Sequence, residues 1–338
     1  MNEIKNKTIL ITGGTGSFGN KFVDRSLFLN PKKIIIFSRD EFKQYEMSEK
    51  YKNHKEFKKL RFFLGDIRDY KRLKLALIGV DMVIHAAALK IVDTAEYNPM
   101  ESIRTNINGA ENLISAALDN NVSKVINIST DKAVNPINLY GATKLAADKL
   151  FIAANNYSGN NFKTKFSVVR YGNVIGSRGS VIPFFKKLIK ENSVFLPITD
   201  PEMTRFSIRL EDGVNFVISS LLKMKGGEIF IPKMPSVLIT DLAKCLSSNT
   251  KLKIVGIRPG EKLHEVLCSY DDAIHVFESK NSYVILPSIF LEEFKKYNYI
   301  INSKSYKKVN KKFQYDSLSN DRYLKLKEIK KLLFDVIK

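Results

Sequence analysis

Short apolar runs alternate with amphipathic stretches through the first half of this chain. Thr8–Thr12, Lys33–Phe37, Leu60–Leu64, Met82–His85, Lys124–Ile128 and Phe166–Arg170 are rich in Ile, Val, Leu and Phe and read as strands. Helical periodicity fills the intervals, from Phe18 to about Leu29, across Pro99–Asn120 and across Asn138–Asn156. Strands that are apolar on both faces belong in a parallel sheet covered by helices on both sides. The expected class is therefore α/β, a Rossmann-type doubly wound sheet. After Gly172 the alternation loosens, and Pro183, Pro197, Pro201, Pro232, Pro235 and Pro259 punctuate shorter elements. This predicts a dinucleotide-binding domain over 1–172 and a smaller mixed α/β substrate domain with a C-terminal extension over 173–338. A helix near Arg209–Lys225 should pack back on the first domain. No internal repeat or low-complexity linker interrupts the chain, so a cleft between two lobes is expected.

At 338 residues the chain can bury an ample core, and no apolar run reaches the roughly 20 residues that span a bilayer. The N-terminus leads directly into the first strand without a signal-peptide core. Cys245 and Cys268 offer neither a disulfide framework nor metal spacing, and the four histidines are scattered. A soluble, cytoplasmic protein without metal is the expectation. The net charge of +20 raises the possibility of a nucleic-acid partner. However, lysines in the basic tail interleave with apolar positions, as in Tyr323–Leu333, which predicts an amphipathic helix rather than a disordered basic arm. No nucleic acid and no membrane segment are expected.

The first strand runs into Gly13-Gly-Thr-Gly-Ser-Phe-Gly19 and then a helix. A strand, a glycine turn and a helix N-terminus form the opening of a dinucleotide site. The glycines allow the tight turn, and the helix end favours the pyrophosphate charge. Gly13, Thr15, Gly16, Ser17, Phe18 and Gly19 are candidate cofactor contacts. A nucleoside-triphosphatase phosphate loop is excluded, because Asn20 stands where its lysine belongs. After the second strand, Ser38, Arg39 and Lys43 could address a 2′-phosphate, with Asp40 the acidic competitor for a ribose hydroxyl. NADP is the expectation and NAD the alternative. Asp66 and Ile67 would lie at the adenine edge, although Asp66 could equally cap a helix. Ala86 is small enough for a cofactor to lie against backbone, or for close packing of strand and helix.

Tyr140 and Lys144 form a Tyr-x-x-x-Lys pair, and residues four apart share a helix face. A cation near the phenol favours phenolate, whose ordinary pKa of about 10 is too high for base work near neutrality. Thr130, Asp131 and Lys132 stand just upstream. Thr130 could orient a substrate oxygen or simply cap the turn that follows its strand.

With His85-Ala-Ala-Ala, Ser129-Thr-Asp-Lys-Ala and Tyr140-Gly-Ala-Thr-Lys following the glycine turn, the chain resembles the extended short-chain dehydrogenase/reductases. Arg170-Tyr-Gly-Asn-Val, Gly176–Pro183, Ile198–Phe206 and Arg258–Glu265 narrow the resemblance to the inverting UDP-N-acetylglucosamine 4,6-dehydratases of pseudaminic acid and related pathways. It covers residues 5 to about 280. In the retaining dehydratases Asp-Glu stands where this chain has Asp131-Lys132, so the lysine points to the inverting group. The resemblance implies that Tyr140 takes the 4-hydroxyl proton, that Asp131 in its protonated form assists water loss, and that Lys132, if neutral, removes the C5 proton, a base role that Tyr140 could share. Neutrality would need a desolvated or cation-rich setting. It also implies Lys90, Asn173, Val181, Thr199, Met203, Arg205, Arg258 and Glu261 as substrate contacts and a homo-oligomer, with a hexamer suspected. Arginines suit a diphosphate because they bind it bidentately. Glu261 could bind the uridine ribose or cap a helix. One departure is Ile91, where the family commonly has histidine after the lysine at position 90. A retaining dehydratase or 4-epimerase shares most of these features. A non-catalytic NADP-binding regulator does too, although such proteins usually lose the tyrosine or the lysine.

Overall fold

The computed structural model describes residues 3–157, 163–177, 179–247, 249–288 and 295–337. Ten strands make the main sheet: β1 (Thr8–Thr12), β2 (Lys33–Ser38), β3 (Leu60–Leu64), β4 (Met82–His85), β5 (Lys124–Thr130), β6 (Lys165–Tyr171), β7 (Ile229–Pro232), β8 (Val276–Glu278), β9 (Ser282–Ile285) and β10 (Lys307–Lys308). Their order is β10-β8-β9-β7-β6-β5-β4-β1-β2-β3. From β7 to β3 every pairing is parallel, and β9, β8 and β10 extend the sheet in antiparallel fashion. The order reverses between β4 and β1, and ligands of open α/β sheets bind at such a switch point.

The central strands are apolar on both faces because both faces are covered. All five residues of β1 and all four of β4 are buried. The helix Leu210–Lys223 packs beside the helix Ser17–Leu27, with Arg25 Nε donating to Asn215 Oδ1 at 2.9 Å. The stretch expected as one helix over Pro99–Asn120 is three pieces: Pro99–Ile103, a π turn at Arg104–Asn108, and Gly109–Asp119.

Beyond residue 172 the chain both re-enters this sheet, through β7 to β10, and builds small sheets beside it. Asn173–Val174, Thr204–Ile208 and Ser236–Leu238 form one. Phe195–Ile198 pairs with Lys251–Ile254, and Val266–Cys268 pairs with Tyr315–Asp316. The C-terminal helix begins at Leu326, and Ile329 and Leu333 pack with Ile182, Val237 and Leu242. Among the described residues no helix is long and apolar enough to cross a membrane, and no cluster of His, Cys, Asp and Glu could hold a metal ion. Of the Gly176–Pro183 motif, Arg178 lies outside the described residues.

Candidate active site

A cleft of about 1290 Å³ opens along the carboxyl ends of the parallel strands. Its walls carry nearly all the residues singled out from sequence: Gly13, Thr15, Gly16, Ser17, Phe18, Ser38, Arg39, Lys43, Ile67, Ala86, Lys90, Thr130, Lys132, Tyr140, Lys144, Asn173, Val181, Thr199, Met203, Arg205, Arg258 and Glu261. Three others lie just behind the wall. Gly19 packs under the turn, where a Cβ would sit 2.1 Å from the Gly14 carbonyl oxygen. Asp66 is tied to Arg68 and, at 3.5 Å, to Arg39. Asp131 is buried beneath Lys132.

The glycine turn fits a dinucleotide on its own geometry. Gly13 has φ +64°, and a Cβ there would stand 2.9 Å from the backbone of Ala87. The helix that follows starts at Ser17 with no side-chain cap, so its first N–H groups remain available to an anion. Asn20, which replaces the phosphate-loop lysine, donates to the carbonyls of Thr15 and Gly16 and braces the turn. At the rim, the Asp40 carboxylate caps the helix Glu41–Tyr51 through Lys43 N and also pairs with the Lys43 amine. That engagement weakens Asp40 as a ribose acceptor. Asp66 is not a helix cap, since Asp69 caps the helix Tyr70–Ala76. Burial pushes the Asp66 carboxyl up, but its bonds from Arg68 outweigh this and leave it below the usual range.

The side chains expected to carry the chemistry come from three consecutive elements. Thr130 ends β5 and caps the short turn Asp131–Ala133, accepting from Lys132 N at 3.4 Å, so its capping role is real. It also donates to Asp131 Oδ1 at 2.9 Å. The helix Leu139–Ala153 begins with Asn138 as cap, and Asn138 in turn holds the Gly260 carbonyl at 2.7 Å. This joins the Arg258–Glu265 loop to the helix that presents Tyr140 and Lys144.

The electrostatics differ from the sequence expectation in two ways. First, the Lys144 amine is turned to the Ile128 carbonyl at 2.8 Å, and burial lowers its pKa. Burial pushes the Tyr140 phenol up to about 12, and the cation that opposes this most is Lys132, not Lys144. Second, carboxylates dominate the setting of Lys132, although Arg205 lies near. Its amine lies 3.1 Å from Asp131 Oδ1 and 2.9 Å from Glu265 Oε1. Burial alone would lower its pKa, but the two carboxylates outweigh burial and hold it up as an ammonium. Asp131, by contrast, is raised by burial and by the Glu265 charge, which favours its protonated form.

In the same cleft Arg258 makes a two-pronged contact with Glu261 at 2.9 and 3.1 Å, and Arg205 approaches the same carboxylate at 3.5 Å. No helix follows Glu261, so the capping alternative falls away. Two further residues carry no sequence signal for their place here. Glu265 is the last residue of a quoted motif, but its proximity to Lys132 spans 133 positions. Asn106, in the π turn, clamps Leu89 through both its N–H and its carbonyl and donates to Thr143 Oγ1.

The sequence profile of a family described as "Polysaccharide biosynthesis protein" matches residues 9–287. The chain belongs to that family. It shares the extended short-chain dehydrogenase/reductase architecture implied by its motifs. A relative from Campylobacter jejuni subsp. jejuni serotype O:23/36 (strain 81-176), UDP-N-acetylglucosamine 4,6-dehydratase (inverting), is 56% identical over 327 residues, 96% of each chain. A UDP-glucose 4-epimerase from Rickettsia canadensis is 44% identical over 97% of this chain and 95% of its own. The X-ray structure of Pen from Bacillus thuringiensis superposes with a TM-score of 0.88 at 36% identity, covering 98% of both chains.

Proposed function

We propose that this protein is an NADP-dependent UDP-N-acetylglucosamine 4,6-dehydratase that inverts C5, a hydro-lyase with no net redox change. The observation that carries this reading is the Asp131–Lys132 pair beside Tyr140 in a cleft that also presents Arg205 and Arg258. The 56% identity to the Campylobacter enzyme supports it. Gly13, Gly16, Ser17 and the open helix end would hold the dinucleotide pyrophosphate, with Arg39 and Lys43 at the 2′-phosphate. The nicotinamide would supply hydride acceptance at C4 and hydride return at C6. Tyr140 takes the 4-hydroxyl proton, aided by Thr130 and the Lys132 charge. The resulting ketone acidifies C5, where Lys132 acts, and buried Asp131 gives its proton to the departing C6 oxygen. Arg205 and Arg258 bind the diphosphate, with Lys90, Asn173, Val181, Thr199, Met203 and Glu261 around the nucleotide sugar. The same reading makes the protein a cytoplasmic homo-oligomer feeding glycan synthesis.

The similarity to 4-epimerases favours a second reading on the same scaffold, C4 epimerisation without water loss. Incubation with UDP-N-acetylglucosamine separates the two. A 4-keto-6-deoxy product with no standing absorbance of reduced nicotinamide is expected, and a UDP-N-acetylgalactosamine product would overturn the dehydratase reading.

A further inference from the structure

Lys132 presents a chemical problem that Glu265 resolves. A side chain held as an ammonium cannot remove a proton, yet the only acceptors within reach of its amine are Asp131, Asn173 and Glu265 among the described residues. Asp131 is the poorer sink, because its Oδ1 lies farther from the amine, at 3.1 Å against 2.9 Å for Glu265, and already accepts a bond from Thr130. We propose that Glu265 takes the proton from Lys132 once substrate is seated, and so turns the amine into a base at C5. Glu265 is thus a positioning residue acting through Lys132, and the proposal rests on the dehydratase reading.

The geometry supports this in three ways. Glu265 is 1% exposed, and its Oε1 lies 2.9 Å from the Lys132 amine. Its other oxygen, Oε2, is buried and accepts no hydrogen bond from any described residue, so the carboxyl can hold a proton without displacing a bond. Its backbone is fixed from the C-terminal segment, since Glu265 N donates to Ser317 Oγ at 2.9 Å and Ser317 N donates to the Glu265 carbonyl at 2.8 Å.

The groups facing this carboxylate are Lys132 and Asp131 from the turn after β5, Arg205 from Thr204–Ile208 at 3.7 Å, and Lys262 from its own loop. The three cations outweigh burial and keep Glu265 ionised in the free protein. A diphosphate on Arg205 neutralises one of them, and a seated sugar excludes water. Both changes favour the neutral pair over the ion pair. One ammonium N–H bond of Lys132 then breaks as an O–H bond forms on Glu265. The freed lone pair takes the C5 proton, the C5–H electron pair becomes the C5–C6 double bond, and the C6–O bond breaks. The oxygen leaves as water with the proton of Asp131.

The test is exchange at C5 of the 4-keto product in heavy water, which reads this proton transfer without any hydride step. Glu265→Gln should slow exchange and kcat about 100-fold near neutrality with KM little changed. With the carboxylate gone, Lys132 loses its proton to hydroxide, so exchange in the variant should climb roughly tenfold per pH unit while wild type stays flat. Glu265→Asp should recover part of the rate. Wild-type exchange in Glu265→Gln, or a loss equal at every pH, overturns the proposal. Should the variant not fold, NMR of wild type labelled at lysine nitrogen and glutamate carboxyl carbon decides. Lys132 must remain an ammonium to at least about pH 10 in free protein, and a neutral amine at lower pH overturns the proposal. Failure of wild type to make any keto sugar would instead sink the functional reading.

Discussion

Replacing Asn106 by alanine removes the clamp between the Lys90 loop and the helix carrying Tyr140. The amide is 2% exposed and makes three bonds: Leu89 N to Oδ1 at 2.9 Å, Nδ2 to the Leu89 carbonyl at 2.9 Å, and Nδ2 to Thr143 Oγ1 at 3.0 Å. Each is worth about 1 kcal/mol net, and the Leu89 peptide groups left behind add desolvation cost. Alanine is the better helix former by well under 1 kcal/mol, which offsets little. The expected loss is about 3 kcal/mol, read as the change in urea midpoint multiplied by the unfolding slope. The KM for nucleotide sugar should also rise, because Lys90 adjoins the freed segment. Asn106→Asp is the control. It keeps the acceptor for Leu89 N but cannot donate, and it buries a charge, so it should cost at least as much. A loss below about 1 kcal/mol with KM unchanged would show that the π turn does not position the loop.

Two further predictions concern the cofactor rim and the core. Arg39→Ala should weaken NADP binding by about 1.5–3 kcal/mol while leaving NAD binding nearly unchanged, measured by titration calorimetry. Equal losses for both would remove the 2′-phosphate from the account. His85 is buried against Thr12, and burial, with the Lys144 charge, pushes its pKa down to about 3. Its folded pKa lies below its unfolded value of about 6.5, so the unfolded chain binds the extra proton and this contribution is lost as pH falls. At pH 5 the penalty is about 2 kcal/mol, and His85→Gln should flatten the acid side of the stability profile by that amount. An unchanged profile would refute it.

The parallel half of the fold was legible because its strands are short runs rich in apolar residues between helical stretches. The predicted Thr8–Thr12, Leu60–Leu64 and Met82–His85 match the observed strands end for end. The helix predicted from Phe18 to about Leu29 stops at Leu27, and Phe28 beyond it is exposed. Periodicity could not show the π turn at Arg104–Asn108, since one wide turn leaves the apolar spacing of a long helix almost intact. Nor could it show that β7 to β10 return to the main sheet, because an apolar run does not announce its partner. The site divides in the same way. Local motifs placed Thr130, Asp131, Lys132, Tyr140 and Lys144 near one another, since a strand end, the turn after it and the next helix define them. The charge on Lys132 was only half visible, because it depends on Asp131, its neighbour in sequence, and on Glu265, which only the folded chain brings near. The same holds for Ser317, in a segment whose motif match is only suggestive, which holds the backbone of Glu265.

The most direct measurement is proton NMR of the product formed from UDP-N-acetylglucosamine in heavy water. The account predicts a 4-keto-6-deoxy sugar carrying deuterium at C5 in the L-arabino configuration. A D-xylo product as the first species formed, or C5 still bearing its original hydrogen, would contradict it.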